Sequence, residues 1–418
     1  MRKNVWIFNH YAGDMFFSHG GRHYSFAKYL KRAGYEPVVF CCNAKHGKAE
    51  RFFETEDLWQ LHTEEEISVP FVYVKARTYT GNGKQRILNI VDFYFNAKKA
   101  AKEYATLYGK PDVIYASSVH PLTLVAGIQL AKIFNVRCIC EVRDLWPESI
   151  VAYGIAGPYN PVVIFLRWLE KWIYKKADKI IMTWPGGYDY VSEQGWTKKI
   201  PAQKVVYISN GVDLESFKEN ARTNPYKDED LNRMDKVKFV YTGSIRKVNN
   251  LGILIDTAKL LKKRSNEKAL LLVFGDGDER KPLEALTLEK QLDNISFKGY
   301  VPKTCIPSIL NQADVSILQN TSTSLDKYGQ SQNKFFEYLA AGHPVLMTYS
   351  VGYSICKENK CGIELEGQTP VTIADAIDTF CNMSEGMYEN YCYNASQIAK
   401  VYDFAELTKK LIKLIEEE

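Results

Sequence analysis

The feature that most constrains this chain is the recurrence of short, continuously apolar runs, each followed by a longer segment with helical spacing. Runs at residues 5–9, 37–42, 112–116, 136–142, 178–183 and 204–209 are too short for buried helices and lack the alternation of half-exposed strands. Strands that are apolar on both faces belong in a parallel sheet covered by helices on each side. The covering helices are visible between the runs. One presents Phe26, Leu30 and Ala33 and is stopped by Gly34, one spans 122–134, and an aromatic-rich one spans 161–176.

The rhythm breaks at 215–235, where charges, Asn and Asp residues and Pro225 crowd together, which reads as an interdomain linker. A second series follows, with strands expected at 237–241, 270–274, 295–297, 315–318 and 345–348 and helices at 251–262, 279–291, 305–311 and 332–341. The expected fold class is α/β: two Rossmann-like, doubly wound parallel-sheet domains, 1–214 and 236–400, facing a central cleft. Open α/β sheets take their ligands beyond the carboxyl ends of the strands. The amphipathic terminal stretch 401–418 either caps its own domain or crosses back to the first. A length of 418 residues suits two such domains.

With 54 Lys plus Arg against 49 Asp plus Glu, the net charge of +5 argues against a nucleic-acid-binding surface. The apolar run 162–166 is far shorter than the roughly 20 residues that cross a bilayer. No signal-peptide cleavage pattern follows the first strand. Nine cysteines without a CxxC pair read as reduced thiols of a cytoplasmic protein rather than as a disulfide or metal framework.

Candidate binding residues fall at strand ends. Gly20-Gly21-Arg22-His23 opens the first long helix, where small residues and free N–H groups suit an anion and Arg22 adds a fixed charge; the plain alternative is a tight loop with an exposed arginine. In the second domain, Gly243-Ser244-Ile245-Arg246-Lys247 and Gly275-Asp276-Gly277 follow adjacent strands. Arg246 and Lys247 can neutralise a diphosphate, or can be ordinary solvent-facing charges. The densest pattern runs from Gln330 to Val345. Ser331 is suited to cap a helix, Phe335, Phe336, Leu339 and Ala340 form its apolar stripe, and Gly342 with Pro344 ends it. Lys334 and Glu337 share one side of that helix, either to hold phosphate and ribose hydroxyls or as a surface salt bridge. In the first domain, His120 sits between a strand and a helix, and Arg143, Asp144 and Glu148 follow another strand. His120 can meet a ligand or merely cap its helix, and the charged trio can hold an acceptor or fix its own loop.

Together with Ser117-Ser118-Val119-His120, Glu141-Val142-Arg143-Asp144-Leu145-Trp146-Pro147-Glu148-Ser149, Lys175-Lys176-Ala177-Asp178-Lys179-Ile180 and Ser209-Asn210-Gly211-Val212-Asp213, these motifs span both halves. The chain resembles the family 4 glycosyltransferases of GT-B fold, in particular the bacterial surface-polysaccharide branch with N-acetyl-L-fucosamine transferases. The resemblance implies sugar transfer from a nucleotide donor with retention of anomeric configuration. Glu337 resembles the second, ribose-binding acid of the family's E-x7-E pattern, and the first acid falls at Gly329, with the branch's Ser331-x-Asn333-Lys334 version beside it. Lys247 resembles the cation over the diphosphate, with Arg246 beside it, and Gly299-Tyr300-Val301 the backbone near the uracil; His120 resembles the histidine beside the reacting sugar.

The reading implied is a metal-independent, cofactor-free capsule or O-antigen transferase. Its donor is a UDP-N-acetylhexosamine, its acceptor an undecaprenyl-type lipid-linked glycan, and its location the inner face of the cytoplasmic membrane. Basic, aromatic stretches at 75–102 and 162–176 suit an anionic membrane surface, although packing of the second against its own sheet is the stronger expectation. Self-association stays open. Two alternatives use the same architecture: a UDP-N-acetylhexosamine 2-epimerase and a noncatalytic nucleotide-sugar-binding partner.

Overall fold

A computed structural model describes residues 2–64, 69–81, 83–118 and 120–417, so Val119 of the histidine motif lies outside the described residues. The chain divides into two compact units, Met1–Ser209 with Phe404–Glu418, and Asn210–Asp403.

The first unit is built on eight strands: β1 (Asn4–Phe8), β2 (Glu36–Cys42), β3 (Trp59–His62), β4 (Phe71–Val74), β5 (Val113–Ser117), β6 (Arg137–Val142), β7 (Lys179–Met182) and β8 (Val205–Tyr207). Their spatial order is β3-β4-β2-β1-β5-β6-β7-β8. Trp6 and Phe8 on the central strand are fully enclosed, as are Phe40 and Tyr115 on its neighbours β2 and β5 and Tyr73 on β4 beyond β2. β3 and β4 add an edge that the apolar runs do not announce. β4 is only four residues long, and β3, half-buried and mixed in character, pairs antiparallel with it. The helix Pro121–Phe134 lies close against β5 because residue 127 is glycine: a Cβ there would stand 2.5 Å from the Ala116 Cβ. That contact fixes the helix start and with it His120.

The helix Phe404–Glu416 packs on Arg22–Arg32 within this unit, Phe404 meeting Phe26 edge-on at 5.4 Å between ring centres. Tyr35 donates a 2.6 Å hydrogen bond to Glu416, which also pairs with Lys3.

The second unit holds β9 (Val237–Thr242), β10 (Ala269–Phe274), β11 (Ile295–Gly299), β12 (Val315–Leu318), β13 (Val345–Met347) and β14 (Gly362–Glu364). Its order is β11-β10-β9-β12-β13-β14, and the described pairings are all parallel. The stretch 215–235 is not a linker between the units, which change over at Ser209 and Asn210. Asp213 caps the helix Leu214–Thr223 by accepting from the Ser216 N–H, and Phe217 and Leu231 enter this unit's core. Lys298 binds both Asp228 and Asp230, at 2.8 and 2.7 Å. A few apolar anchors thus hold a segment whose composition is that of a loop.

Candidate functional site

In the second unit, the carboxyl ends of three adjacent strands are laced together. The Gly243 N–H donates to Phe274 O at 3.0 Å, Ile245 N–H to Asp276 O at 2.9 Å, and Gly275 N–H to Gly299 O at 2.8 Å. Backbone lies directly on backbone here, so side chains are excluded: a Cβ on Gly275 would sit 1.7 Å from the Gly243 carbonyl oxygen, and one on Gly277 2.1 Å from that of Ile245. The lacing leaves Ser244, Arg246 and Lys247 exposed on a fixed loop. Tyr300 is 71% exposed while Val301 is buried, so Val301 can offer a ligand its backbone but not its side chain.

The helix Asn333–Ala340 is tied to the same place. Tyr338 Oη accepts from the Thr242 N–H at 3.0 Å and donates to Thr242 O at 3.1 Å. Lys334 Nζ donates to Tyr241 Oη and Gln319 O, both at 3.2 Å, and Tyr241 Oη donates to Ser244 O at 2.8 Å. Lys334 is thus held by Tyr241 and a carbonyl rather than in the surface salt bridge with Glu337 that their spacing allows. Burial lowers the Lys334 ammonium to about 7 and pushes the Glu337 carboxyl up, against the opposing charge of Lys303. Asn333 is exposed at the helix start.

Ser331 does not cap this helix, whose capping residue is Gln332. Its Oγ accepts instead from the Asn210 N–H at 2.8 Å, and its carbonyl oxygen accepts from Asn210 Nδ2 at 2.5 Å. Gly329 takes φ +98°, and the nearest preceding acid, Asp326, accepts from the Thr323 N–H at 2.6 Å within its own turn.

The first unit corrects the reading of the glycine-arginine loop. Gly20 and Gly21 are partly buried and Gly21 takes φ +94°, but Arg22 is 2% exposed. Its guanidinium donates to Glu141 at 2.6 Å, to Ile208 O at 2.9 Å and to Ser209 O. Glu141 also accepts from Ser117 Oγ at 2.6 Å, from His23 Nε2 at 3.0 Å and from Tyr115 Oη. Burial alone would raise the Glu141 carboxyl, but Arg22 and His23 hold it well below the usual carboxylate range. Arg22 is therefore the centre of an internal ion-pair network and is not offered to a phosphate.

His120 is 3% exposed and lines a small cavity of about 20 Å³ together with Ser118, Asp144, Trp146, Glu170 and Tyr174. It holds the N-cap position of the helix that follows but makes no side-chain bond to it, so its imidazole is left to other partners. Its Nε2 lies 2.8 Å from His10 Nδ1, and burial lowers its pKa to about 3. Asp144 is solvent-reachable, yet the protein around its carboxyl raises its pKa, against the pull of Arg143. The Arg143 N–H donates to Ser118 Oγ at 3.1 Å, and Glu148 pairs with Arg167, so of the charged trio Glu148 fixes the loop. Glu170 accepts from Tyr174 and Tyr190 and is raised by burial to about 8. His10, Asn89 and Glu170 carry no motif of their own and reach this site only through tertiary folding.

On the helix Pro161–Lys176, Val163, Ile173 and Tyr174 face inward, whereas Val162, Ile164, Phe165 and Trp168 are exposed. Only one face of that aromatic helix is therefore turned to the protein interior. Among the described residues no helix is long and apolar enough to cross a membrane, and no group of three or more His, Cys, Asp or Glu could hold a metal ion.

Residues 23–216 match the family described as Glycosyltransferase Family 4, and residues 223–398 the family described as Glycosyl transferases group 1. The Pseudomonas aeruginosa protein "Probable glycosyltransferase WbjE" is 23% identical over 276 residues, covering 65% of this chain and 66% of that protein, just under two thirds of its length. A glycosyltransferase from Rickettsia africae superposes with a TM-score of 0.66 at 15% identity over 99% of this chain and 98% of its own. The Anabaena Alr3699/HepE structure in complex with UDP gives 0.65 at 15% identity over 99% of each chain. Two Rossmann-like units and a family match on each identify this chain as a member of the family 4 glycosyltransferases with the GT-B fold.

Proposed function

We propose that this enzyme transfers an N-acetylhexosamine, N-acetyl-L-fucosamine in the branch it resembles, from its UDP derivative to a lipid-linked glycan, with retention of configuration. The observation that carries the reading is the laced strand-end site of the second unit. Two exposed cations, Arg246 and Lys247, stand on a fixed loop that Tyr241 joins to Lys334 on the helix of Glu337. Such a site suits a diphosphate flanked by ribose and sugar hydroxyls, and the similar Anabaena protein is a complex with UDP.

In the proposed reaction the acceptor oxygen forms its bond to the anomeric carbon on the face from which the UDP oxygen departs. The leaving phosphate takes the acceptor proton, so no protein nucleophile is needed. Lys247, with Arg246, stabilises the negative charge that grows on the diphosphate, where a fixed cation lowers the barrier most. Asn333 and Ser331 flank the sugar-phosphate end, and Glu337 accepts from the ribose hydroxyls. Gly329 offers no carboxylate to the donor sugar and Asp326 is engaged in its own turn, so recognition falls to Lys334 and its neighbours. In the first unit His120, Asp144 and Arg143 serve the sugar and the acceptor.

The exposed face of Val162, Ile164, Phe165 and Trp168, on a helix that also carries Arg167, Lys171, Lys175 and Lys176, suits docking at an anionic inner membrane surface. A lipid-diphosphate acceptor would be met there, as capsule or O-antigen assembly requires.

Mass spectrometry of the purified protein with a panel of UDP-amino sugars and short lipid-diphosphate acceptors tests the reading. One lipid product heavier by a single sugar residue is expected, and it should vanish in Lys247→Ala. Sugar isomers formed from donor alone would instead indicate an epimerase. UDP binding without any turnover would indicate a noncatalytic binding partner.

A further inference from the structure

His120 stands at the end of a hydrogen-bonded chain. Its Nε2 is 2.8 Å from His10 Nδ1, and His10 Nε2 is 2.8 Å from Asn89 Oδ1. The direction of every proton in this chain follows from its far end. Asn89 Nδ2 donates to the Arg77 carbonyl oxygen at 2.6 Å, so the amide oxygen, an acceptor only, faces His10. His10 Nε2 therefore carries a proton. A second proton on His10 is opposed by complete burial and by the neighbouring His120, His46 and Arg86, so its Nδ1 is a bare acceptor. That acceptor requires the proton of His120 to be on Nε2. Arg86 also stands against a second proton on His120.

The consequence appears at the other nitrogen. His120 Nδ1 has no hydrogen-bond partner among the described residues, although the ring is 3% exposed and lines the cavity with Ser118, Asp144 and Glu170. A buried acceptor left unmade costs free energy, and a ligand that donates to it recovers that cost.

We infer that Asn89 and His10 are positioning residues that hold His120 in its neutral Nε2–H tautomer, so that Nδ1 accepts from a hydroxyl of the sugar substrate. The inference rests on the transferase reading for the identity of that ligand, and on the geometry alone for the tautomer. His10 and Asn89 act through His120. A doubly protonated His120, or its Nδ1–H tautomer, would present a donor where the chain requires an acceptor.

Long-range proton–nitrogen NMR of the full chain labelled with nitrogen-15 histidine reads both rings without any substrate. Neutral Nε2–H signals for His10 and His120, unchanged from pH 6 to pH 8, are expected. Asn89→Leu removes the terminal acceptor and should mix the His120 tautomers, while Asn89→Asp retains an acceptor and should keep them. His10→Phe, which frees His120 Nε2, is a second route to the mixed state should Asn89→Leu fail to fold. A titrating or Nδ1–H His120 in the unaltered protein would overturn the inference, as would a His120 signal indifferent to Asn89→Leu and His10→Phe.

With UDP-N-acetylglucosamine as donor and a short lipid-diphosphate glycan as acceptor, kcat/KM should fall roughly tenfold to a hundredfold in Asn89→Leu and recover in Asn89→Asp. Equal losses in both would overturn the substrate contact. Ordered tautomers in a protein with no transfer activity on any panel member would sink the transferase reading and leave the histidine chain upheld.

Discussion

The backbone N–H of Asn210 donates to Ser331 Oγ at 2.8 Å, joining motifs 121 residues apart. Asn210 is buried, so losing the hydroxyl strands a backbone donor away from water. Ser331→Ala should destabilise the protein by about 1–2 kcal/mol in urea unfolding and loosen the loop before the helix Asn333–Ala340. Weaker UDP binding by calorimetry should accompany it; unchanged stability and affinity together would remove this contact from the account.

Gly275→Ala brings a Cβ to a residue at φ +148° with a carbonyl oxygen 1.7 Å away. Neither backbone can yield without unlacing the strand ends. The expected cost is about 3 kcal/mol or more, read as a lowered unfolding midpoint, with UDP affinity lost in whatever remains folded. A stable Gly275→Ala protein with full affinity would show that the lacing is not needed.

Two arginine and lysine substitutions should behave in opposite ways. Arg22→Ala leaves the Glu141 carboxylate buried without its main counter-charge, and a loss of about 3–5 kcal/mol in unfolding free energy is expected. Lys247 is exposed, so Lys247→Ala should change stability by less than about 0.5 kcal/mol while kcat/KM falls about a hundredfold to a thousandfold. The reverse pattern would exchange the roles assigned to these two cations.

Lys334, lowered by burial to about 7, is largely neutral at pH 8 in the free protein. The unfolded chain keeps its lysine proton to higher pH. Between the two pKa values the unfolded state therefore binds more protons, and this residue's contribution to stability rises with pH. A diphosphate nearby favours the charged form, so UDP binding at pH 8 should draw in up to about one proton. Calorimetry in phosphate and Tris buffers measures that uptake, which should disappear in Lys334→Met. Identical apparent enthalpies in the two buffers would place Lys334 outside the anion's field.

Phe165 and Trp168 are 57% and 60% exposed, so replacing both by serine should leave the unfolding midpoint nearly unchanged. Co-sedimentation with phosphatidylglycerol vesicles should weaken at least about tenfold. Retained vesicle binding would move the membrane contact elsewhere.

The sheets were legible because their strands are apolar on both faces, and the strand Val315–Leu318 and the helix Pro161–Lys176 fall where the residue pattern puts them. Short edges escaped it: β3 and β14 have too few residues, and too little burial, to establish a period. Composition misled at 215–235, since Phe217 and Leu231 are few but sit in the core. In the site, exposure separated what charge alone could not. Arg22 and Lys247 read alike in a glycine-bearing loop, yet one answers Glu141 and the other faces solvent. The chain from Asn89 through His10 to His120 joins residues up to 110 positions apart, and no local spacing encodes it.

The helix Phe404–Glu416 gives synthesis a particular order. The second unit is one uninterrupted stretch, Asn210–Asp403, whereas the first is built from segments on both sides of it. The first unit cannot cover Phe26 until Phe404 has been made. The face of the first unit around Phe26 thus stays open to aggregation while the whole of the second unit is being synthesised.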